Sequence, residues 1–582
     1  MLLIAAVSLA LVTVSSEPDQ QNLLTLILIW ATVGYSWNIL GGYGGQVSFG
    51  HSLFVGIGAY STAILESRFG MPPLIGMAAG AAIAAGAAVV IGWPTFRLAG
   101  VYFSLATLAY PLMMRPVMNY FGFQEVTIPY HSDGGSWYLQ FTDPRGLTYC
   151  ALALMLVAIA ISLAVERSKF GTALFALRDD EVAARAAGIN VRRQKLAAYA
   201  LSAAVAAVAG SVYTSVLLVV TPDSVFGLAV SVQALIIPLV GGRATIWGPL
   251  IGSVILVTLS DQLTSQFGAD FPGLSGLLYG GALVAMVLFA PEGIYWRLHD
   301  LRRRARHRKH PVVAREDISA DAGVQRARSA RTAREKRRKP DEGEIILAVE
   351  NLQKSFDGLE VLRDVSFSVR TGEILGIIGP NGAGKTTLFD IMNGFTRPDG
   401  GKIVLGDQDV TGSPPHVLCR KGIGRTFQVV RVFPRRSLLA NVAVDAPGRP
   451  AGTLTSAEAI AAVGLQGREH LEISELDVGE LRRMELARAL ATGPKVLLID
   501  EIFAGLSHDE VEDLVELLRD ARDMGVTIVI IEHTMKAMLK LADRLVVLNQ
   551  GRVVADGEPG AVVRDRDVVA AYLGKRWANA AS

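Results

Sequence analysis

Nine consecutive residues carry the densest chemical signal in the chain: Gly379-Pro380-Asn381-Gly382-Ala383-Gly384-Lys385-Thr386-Thr387. Glycines at this spacing let successive backbone N–H groups curl around phosphate oxygens at the start of a helix. Lys385 is then placed to reach the β- and γ-phosphates of a nucleoside triphosphate, and the Thr386 hydroxyl to ligate Mg²⁺. An acidic pair, Asp500-Glu501, suits the metal side of such a loop: Asp500 to hold Mg²⁺ through water, Glu501 to orient or deprotonate the attacking water. Two further groups fit the same chemistry. His533, after Glu532, could contact the γ-phosphate, and Gln428, in Arg425-Thr426-Phe427-Gln428, could touch Mg²⁺ and water.

These residues need strands to aim them. The apolar runs 374–378, 495–499 and 526–531 read as short buried strands, ending at the glycine loop, at Asp500-Glu501 and at Glu532-His533. An apolar-periodic helix follows the glycine loop, the context in which that loop has meaning. The pattern from Ile345 onward is that of a soluble α/β domain.

The first half is of a different kind. The chain of 582 residues is 51% hydrophobic and 19% charged, too apolar for an ordinary soluble protein. Disordered, collagen-like and disulfide-framework classes are excluded. Ten apolar runs precede residue 296, at about 1–14, 22–40, 48–65, 74–93, 100–118, 148–165, 196–220, 227–241, 246–264 and 273–290. Most approach the roughly 20 residues that span a bilayer. Of 56 Lys and Arg, 12 precede Tyr295, and 7 of those lie between Glu166 and Lys195. By the positive-inside rule that segment and the one after Trp296 face the cytoplasm, as do both ends of the domain. The small residues of 76–88 allow close helix approach. The stretch 41–51, with six Gly or Ser in eleven, disfavours a straight helix and reads as an inner turn or as a broken helix lining a pathway. His51 and His131 are read as structural.

Three parts follow: a membrane domain at 1–296, a basic flexible linker at 297–343 and an ATP-binding domain at 344–582. The linker carries 16 Lys and Arg and suits a tether, with contact to anionic membrane lipid as a second reading. No fold or aromatic signal supports nucleic acid as a partner. Cys150 and Cys419 fall in different halves and suggest neither a bridge nor a metal site.

From about 345 to 575 the chain resembles the nucleotide-binding domain of ABC transporters. The first half is similar to permeases of the branched-chain amino acid, amide and urea uptake family, on Gly45-Gln46-Val47-Ser48-Phe49-Gly50-His51, Arg97-Leu98-Ala99-Gly100-Val101-Tyr102-Phe103 and the segment from Ala176 to Asn190. The resemblance implies Phe356 as the adenine-stacking aromatic, Gln428 and His533 as the switch residues, and Leu476-Asp477-Val478-Gly479-Glu480 as the signature loop. It departs from the family at that loop, at Ile502, where proline is usual, and at Ser507, where Asp or Asn is usual.

The fold expected is an all-α polytopic membrane domain followed by an α/β P-loop domain. The resemblance implies an ATP- and Mg²⁺-dependent importer subunit in the cytoplasmic membrane. Its expected partners are a second permease, a second ATPase and an extracytoplasmic substrate-binding protein, with a hetero-oligomer favoured over a homodimer. An exporter, or an ABC device that transmits force without transport, is the alternative. The segment 170–194 would pass motion between the halves. Within it, Asp179-Asp180-Glu181, followed by Ala183-Ala184 and Gly188, reads as a short helix with an acidic start and a glycine end. Asp477 and Val478 would face the γ-phosphate on a partner subunit and set two ATP sites apart.

Overall fold

The computed structural model describes residues 17–267 except 99 and 132–136, parts of 273–298, and 343–573 except 435 and 444–453. The chain divides into two units, Met1–Arg178 with Arg192–Arg315, and Asp179–Val191 with Glu316–Ser582.

The first unit is helical. Pro18–Trp37 continues as a π-helical turn, Asn38–Tyr43, and helices follow at His51–Phe69, Pro73–Thr95, Val101–Tyr120, Arg145–Arg167, Lys169–Asp179, Val191–Leu217, Pro222–Phe226, Leu228–Gly242 and Gly248–Phe267. Two short antiparallel strands, β1 (Val126–Thr127) and β2 (Val219–Val220), pair between them. Among the described residues five helical segments are long and apolar enough to cross a membrane: Pro18–Tyr43, Pro73–Thr95, Arg145–Arg167, Val191–Leu217 and Pro222–Gly242. These five are fewer than the ten expected, a count the described residues do not test in full. Three more runs form helices of 19, 20 and 20 residues, at His51–Phe69, Val101–Tyr120 and Gly248–Phe267. Their Ser, Thr, Gly and charged residues dilute the apolar signal. The run 1–14 lies outside the described residues, and 273–290 largely so.

Small residues let these helices touch backbone to backbone. A Cβ on Gly58 would stand 1.9 Å from the Ala207 carbonyl oxygen, and one on Gly80 would stand 3.0 Å from the Gly58 Cα. The helix His51–Phe69 is thus wedged between Pro73–Thr95 and Val191–Leu217. The stretch 41–51 is no straight helix. The π-turn ends at Tyr43, an irregular segment follows, and a new helix starts at His51. Of this irregular segment Gly44, Ser48 and Gly50 are buried and only Val47 is exposed. His51 is fully buried and its Nε2 lies 2.8 Å from the Ser202 hydroxyl.

The second unit holds two sheets. One has four strands in the order β4 (Leu359–Arg370), β3 (Ile345–Phe356), β6 (Gly400–Leu405), β7 (Gln408–Asp409). The other has six: β12 (Arg552–Gly557), β11 (Arg544–Asn549), β5 (Ile374–Ile378), β10 (Thr527–Ile531), β9 (Val496–Asp500), β8 (Ile423–Arg425). All neighbours in the six-stranded sheet are parallel except β11 and β12. Every residue of β5, β9 and β10 is buried, which is why these segments read as unbroken apolar runs. Two apolar clusters cover the opposite faces: Leu375, Ile377, Leu498 and Val529 belong to one, Ile374, Ile378, Leu497 and Ile530 to the other. The carboxyl ends of these strands meet along one edge, where an open α/β sheet presents its ligand-binding loops.

Candidate nucleotide site and its signature helix

The glycine loop follows β5 and ends at Gly384, the N-cap of the helix Lys385–Met392. Gly384 has φ +100°, and a Cβ there would stand 2.8 Å from the Leu362 side chain, so glycine is required by both conformation and space. The Lys385 ammonium donates to the carbonyls of Gly379 at 2.7 Å and Pro380 at 3.0 Å. Burial lowers its pKa, while the charges of Glu501 and Asp500 act the other way. Asn381, Gly382 and Ala383 form the turn between these carbonyls and the helix, and Thr386 and Thr387 stand in the helix's first turn.

β9 delivers the acidic pair. Asp500 is its last residue, and burial raises its pKa against the opposing pull of Arg425. Arg425 reaches Asp500 at 3.4 Å and Asp390 at 2.6 Å. Glu501 leaves the strand with φ +45°, in the left-handed region that a non-glycine residue rarely adopts. Three bonds hold it there. Its N–H donates to the Ile531 carbonyl at 2.9 Å. Its Oε2 accepts from Gln428 Nε2 at 2.6 Å, and its Oε1 lies 2.8 Å from His533 Nε2. Strain at one carboxylate bearing two polar side chains fits a functional position. The three residues expected to handle water and γ-phosphate therefore meet at one carboxylate.

Phe356 ends β3, and its half-exposed ring has the Lys354 ammonium 5.1 Å from its centre. It stands on the other sheet, away from the acidic pair in the sequence of strands.

The signature residues open the helix Val478–Ala491. Leu476 is the residue before the cap, Asp477 is the N-cap, and Val478 and Gly479 begin the helix. The Asp477 carboxylate accepts from Glu480 N–H at 2.8 Å, and Glu480 accepts in return from Asp477 N–H at 3.0 Å. This capping box makes Asp477 a helix start. The expectation that its carboxylate simply projects toward a partner's phosphate is thus amended: Oδ1 is turned onto its own helix. Ser507 likewise caps the helix His508–Asp523 with Glu510, and Ile502 is buried.

The short helix Glu181–Ala186 has Asp180, the middle residue of the acidic start, as its cap, with Oδ1 accepting from Ala183 N–H at 2.8 Å. Asp179 ends the preceding helix, Glu181 opens the new one, Ala183 is buried, and Gly188 turns the chain at φ +87°. The other oxygen of Asp180 accepts from Arg431 at 2.5 Å.

Several polar residues of this region escape sequence reasoning. Glu532, buried, accepts from Phe503 N–H at 2.8 Å and so fixes the turn after Glu501. Arg482, Glu485 and Arg488 stand buried on the signature helix. Burial pushes the Glu485 carboxyl up to about 7, against the lowering pull of Arg488 and the Phe427 N–H. The spacing of 482, 485 and 488 marks one helix face, but nothing in sequence shows which loop that face holds.

A metal would find oxygen donors in Thr386, Gln428 and Asp500. Among the described residues no three His, Cys, Asp or Glu side chains gather to hold an ion. A set with one carboxylate and neutral oxygens fits Mg²⁺ shared with phosphates, rather than a caged transition metal.

Comparison with known proteins gives two family matches. Residues 21–287 match the branched-chain amino acid transport system / permease component family, and residues 362–504 match the ABC transporter family. The high-affinity branched-chain amino acid transport ATP-binding protein LivG of Salmonella typhimurium is 37% identical over 250 residues, 40% of this chain and 98% of that protein. Its counterpart BraF of Pseudomonas aeruginosa is 36% identical over the same shares. The lipopolysaccharide export system ATP-binding protein LptB of Escherichia coli K12 is 37% identical over 234 residues, 39% of this chain and 97% of that protein. With a phosphate loop, an acidic pair and permease helices in one polypeptide, the chain belongs to the ABC transporter family as a branched-chain amino acid-type permease fused to its ATP-hydrolysing subunit.

Proposed function

We propose that the chain drives ATP-dependent import of a small polar solute, a branched-chain amino acid or a related amide, urea or organic acid, across the cytoplasmic membrane. The observation that carries the reading is Glu501 held between Gln428 and His533, in a chain whose first half matches an uptake-type permease. The likeness to LptB makes export the competing direction, and the permease match favours uptake.

Each residue has a task. The N–H groups of 381–387 and Lys385 take the phosphates, and Phe356 takes the base by stacking. Thr386, Asp500 and Gln428 would hold Mg²⁺, which would supply charge neutralisation on the phosphate oxygens. Glu501 orients the attacking water and accepts its proton, and His533 steadies the same carboxylate and meets the γ-phosphate. ATP closes two nucleotide-binding domains and hydrolysis reopens them. The segment around Asp179, Glu181, Ala183 and Gly188 passes that motion to the membrane helices.

One chain brings one permease and one ATPase, so a second of each completes the engine, with a soluble binding protein outside. The loop Leu476–Glu480 differs from the family form, which favours a heteromer with unequal sites. The N-terminus and the ATPase domain face the cytoplasm. The test is solute flux in proteoliposomes with the binding protein: ATP-dependent accumulation supports import, and ATP-dependent efflux overturns it.

A further inference from the structure

The segment 427–431 carries Gln428, which touches Glu501, and Arg431, which touches Asp180. Apart from these two contacts, the Phe427 ring beside Phe395 and Arg425, and Val430 on the apolar core, its hydrogen bonds run to one face of the signature helix. Glu485 Oε1 accepts from Phe427 N–H at 3.0 Å. Arg482 Nη1 donates to the Phe427 carbonyl at 3.3 Å and to the Gln428 carbonyl at 2.6 Å. Arg488 Nη1 donates to the Arg431 carbonyl at 2.6 Å, and its Nη2 lies 3.7 Å from Glu485 Oε1. The Arg431 guanidinium lies over the Phe427 ring at 5.1 Å.

Three residues spaced by three stand on one face of a helix. Here that face binds the backbone of both ends of the segment. Arg482, Glu485 and Arg488 are 7%, 1% and 6% exposed, and the hydrogen bonds they do make run mainly to those backbone groups, while Arg482 Nε and Glu485 Oε2 are buried without a partner among the described residues. Phe427 is buried beside them, while Gln428 and Val429 are exposed, so these bonds are what tie the open part of the segment to the helix. The segment is therefore constrained to follow the helix.

We propose that Glu485, flanked by Arg482 and Arg488, is a positioning residue that clamps 427–431 to the signature helix, so that Gln428 at Glu501 and Arg431 at Asp180 move as one piece. The clamp gives the engine a mechanical path in which displacing Asp180 displaces the group beside the hydrolytic carboxylate. The same helix opens with the signature loop, so the path extends to whatever that loop faces. The inference rests on Glu501 as the hydrolytic residue and on Asp180 lying in the coupling segment.

The test uses the full-length chain in its assembled complex in nanodiscs, read by steady-state ATPase, ATP affinity and amide exchange. Glu485→Leu should lower kcat by about tenfold or more through misplacement of Gln428, with ATP affinity within about twofold. Exchange of the 427–431 amides should quicken by about tenfold while β9 stays protected, which a general loss of stability would not produce. Glu485→Gln, which keeps an acceptor for the Phe427 N–H, should restore most of kcat. Arg431→Ala should leave basal ATPase within about twofold and quicken exchange of 181–187, and Arg431→Lys should not. Should Glu485→Leu fail to assemble, Glu485→Asp, which withdraws the carboxylate by one methylene, is read in the same way. Unchanged kcat and unchanged exchange at 427–431 overturn the clamp. A wild-type complex that hydrolyses ATP but moves no solute overturns the import reading instead, and leaves the kcat and exchange results to judge the clamp alone.

Discussion

The side-chain amide of Gln428 donates to Oε2 of Glu501 across 2.6 Å. The two come from loops after different strands, β8 and β9, so the contact exists only in the folded sheet. His533, after β10, closes on the other oxygen at 2.8 Å. One carboxylate thus reads the positions of three strand ends.

From this follows the first expectation. Glu501→Gln should retain ATP binding and lower the hydrolytic rate by about 10²–10⁴-fold, the usual range for a positioned acid–base group. Lys385→Ala should weaken nucleotide affinity itself. Equilibrium binding and single-turnover hydrolysis separate the two effects, and normal hydrolysis at this site in Glu501→Gln contradicts the assignment.

The signature loop gives a second. Asp477 caps its helix, so Asp477→Ala should cost about 1 kcal/mol of stability, whereas Asp477→Ser keeps an equivalent cap at little cost. If the carboxylate also weakens the phosphate site it faces, Asp477→Ser should raise ATPase activity in the complex without altering thermal stability. No gain in activity would mean that Asp477 is a helix cap and nothing more. In the same complex, disabling the partner's hydrolytic glutamate should cost less than Glu501→Gln, and equal losses would remove the case for unequal sites.

A third expectation concerns the turn at 180–188. Ala183 is buried and Gly188 sits at φ +87°. A β-branched residue at Gly188 meets backbone strain of about 1–3 kcal/mol. Gly188→Val and Ala183→Leu should each stop solute transport while basal ATPase survives. Normal transport in both would show that the segment carries no motion.

Glu485 supplies a pH signature. Its carboxyl titrates near about 7 in the folded chain, raised by burial, against an ordinary 4.5. The folded state therefore binds the extra proton between these values, so this group adds stability as pH falls from 7 toward 4.5 and withdraws it as pH rises. The protonated acid keeps a carbonyl acceptor for the Phe427 N–H, as the Gln side chain does, so ATPase activity should change little from this group as pH drops through about 7. The stability slope should flatten in Glu485→Gln, measured as the difference from wild type. Parallel profiles for the two proteins would contradict this.

What the sequence makes legible follows from how local each signal is. The phosphate loop is a contiguous nine-residue string whose glycine spacing states its own geometry. Asp500, Glu501 and His533 are legible because each ends a run of apolar residues that can only be a buried strand. The turn at 180–188 is legible as a helix with an acidic start and a glycine end, and Asp180 within that start makes the cap. The clamp on 427–431 is not legible. Arg482, Glu485 and Arg488 look like an ordinary charged helix face, and only tertiary packing turns that face inward. The count of spans is blurred for a related reason. Helices such as His51–Phe69 bury glycine and serine against neighbours rather than apolar bulk against lipid, so hydropathy undercounts them. Asp477 shows the reverse case: a departure from a familiar motif reads as a charge in the wrong place until the fold shows it capping a helix.

The central claim is ATP-driven uptake by this chain, and the most direct measurement is accumulation of radiolabelled leucine, isoleucine, valine, urea and acetamide in proteoliposomes holding the complete complex and its binding protein. The account predicts that ATP drives accumulation of at least one of these solutes, and that Glu501→Gln abolishes it while ATP still binds. Accumulation that persists in Glu501→Gln, or ATP-driven movement of solute in the opposite direction, would contradict it.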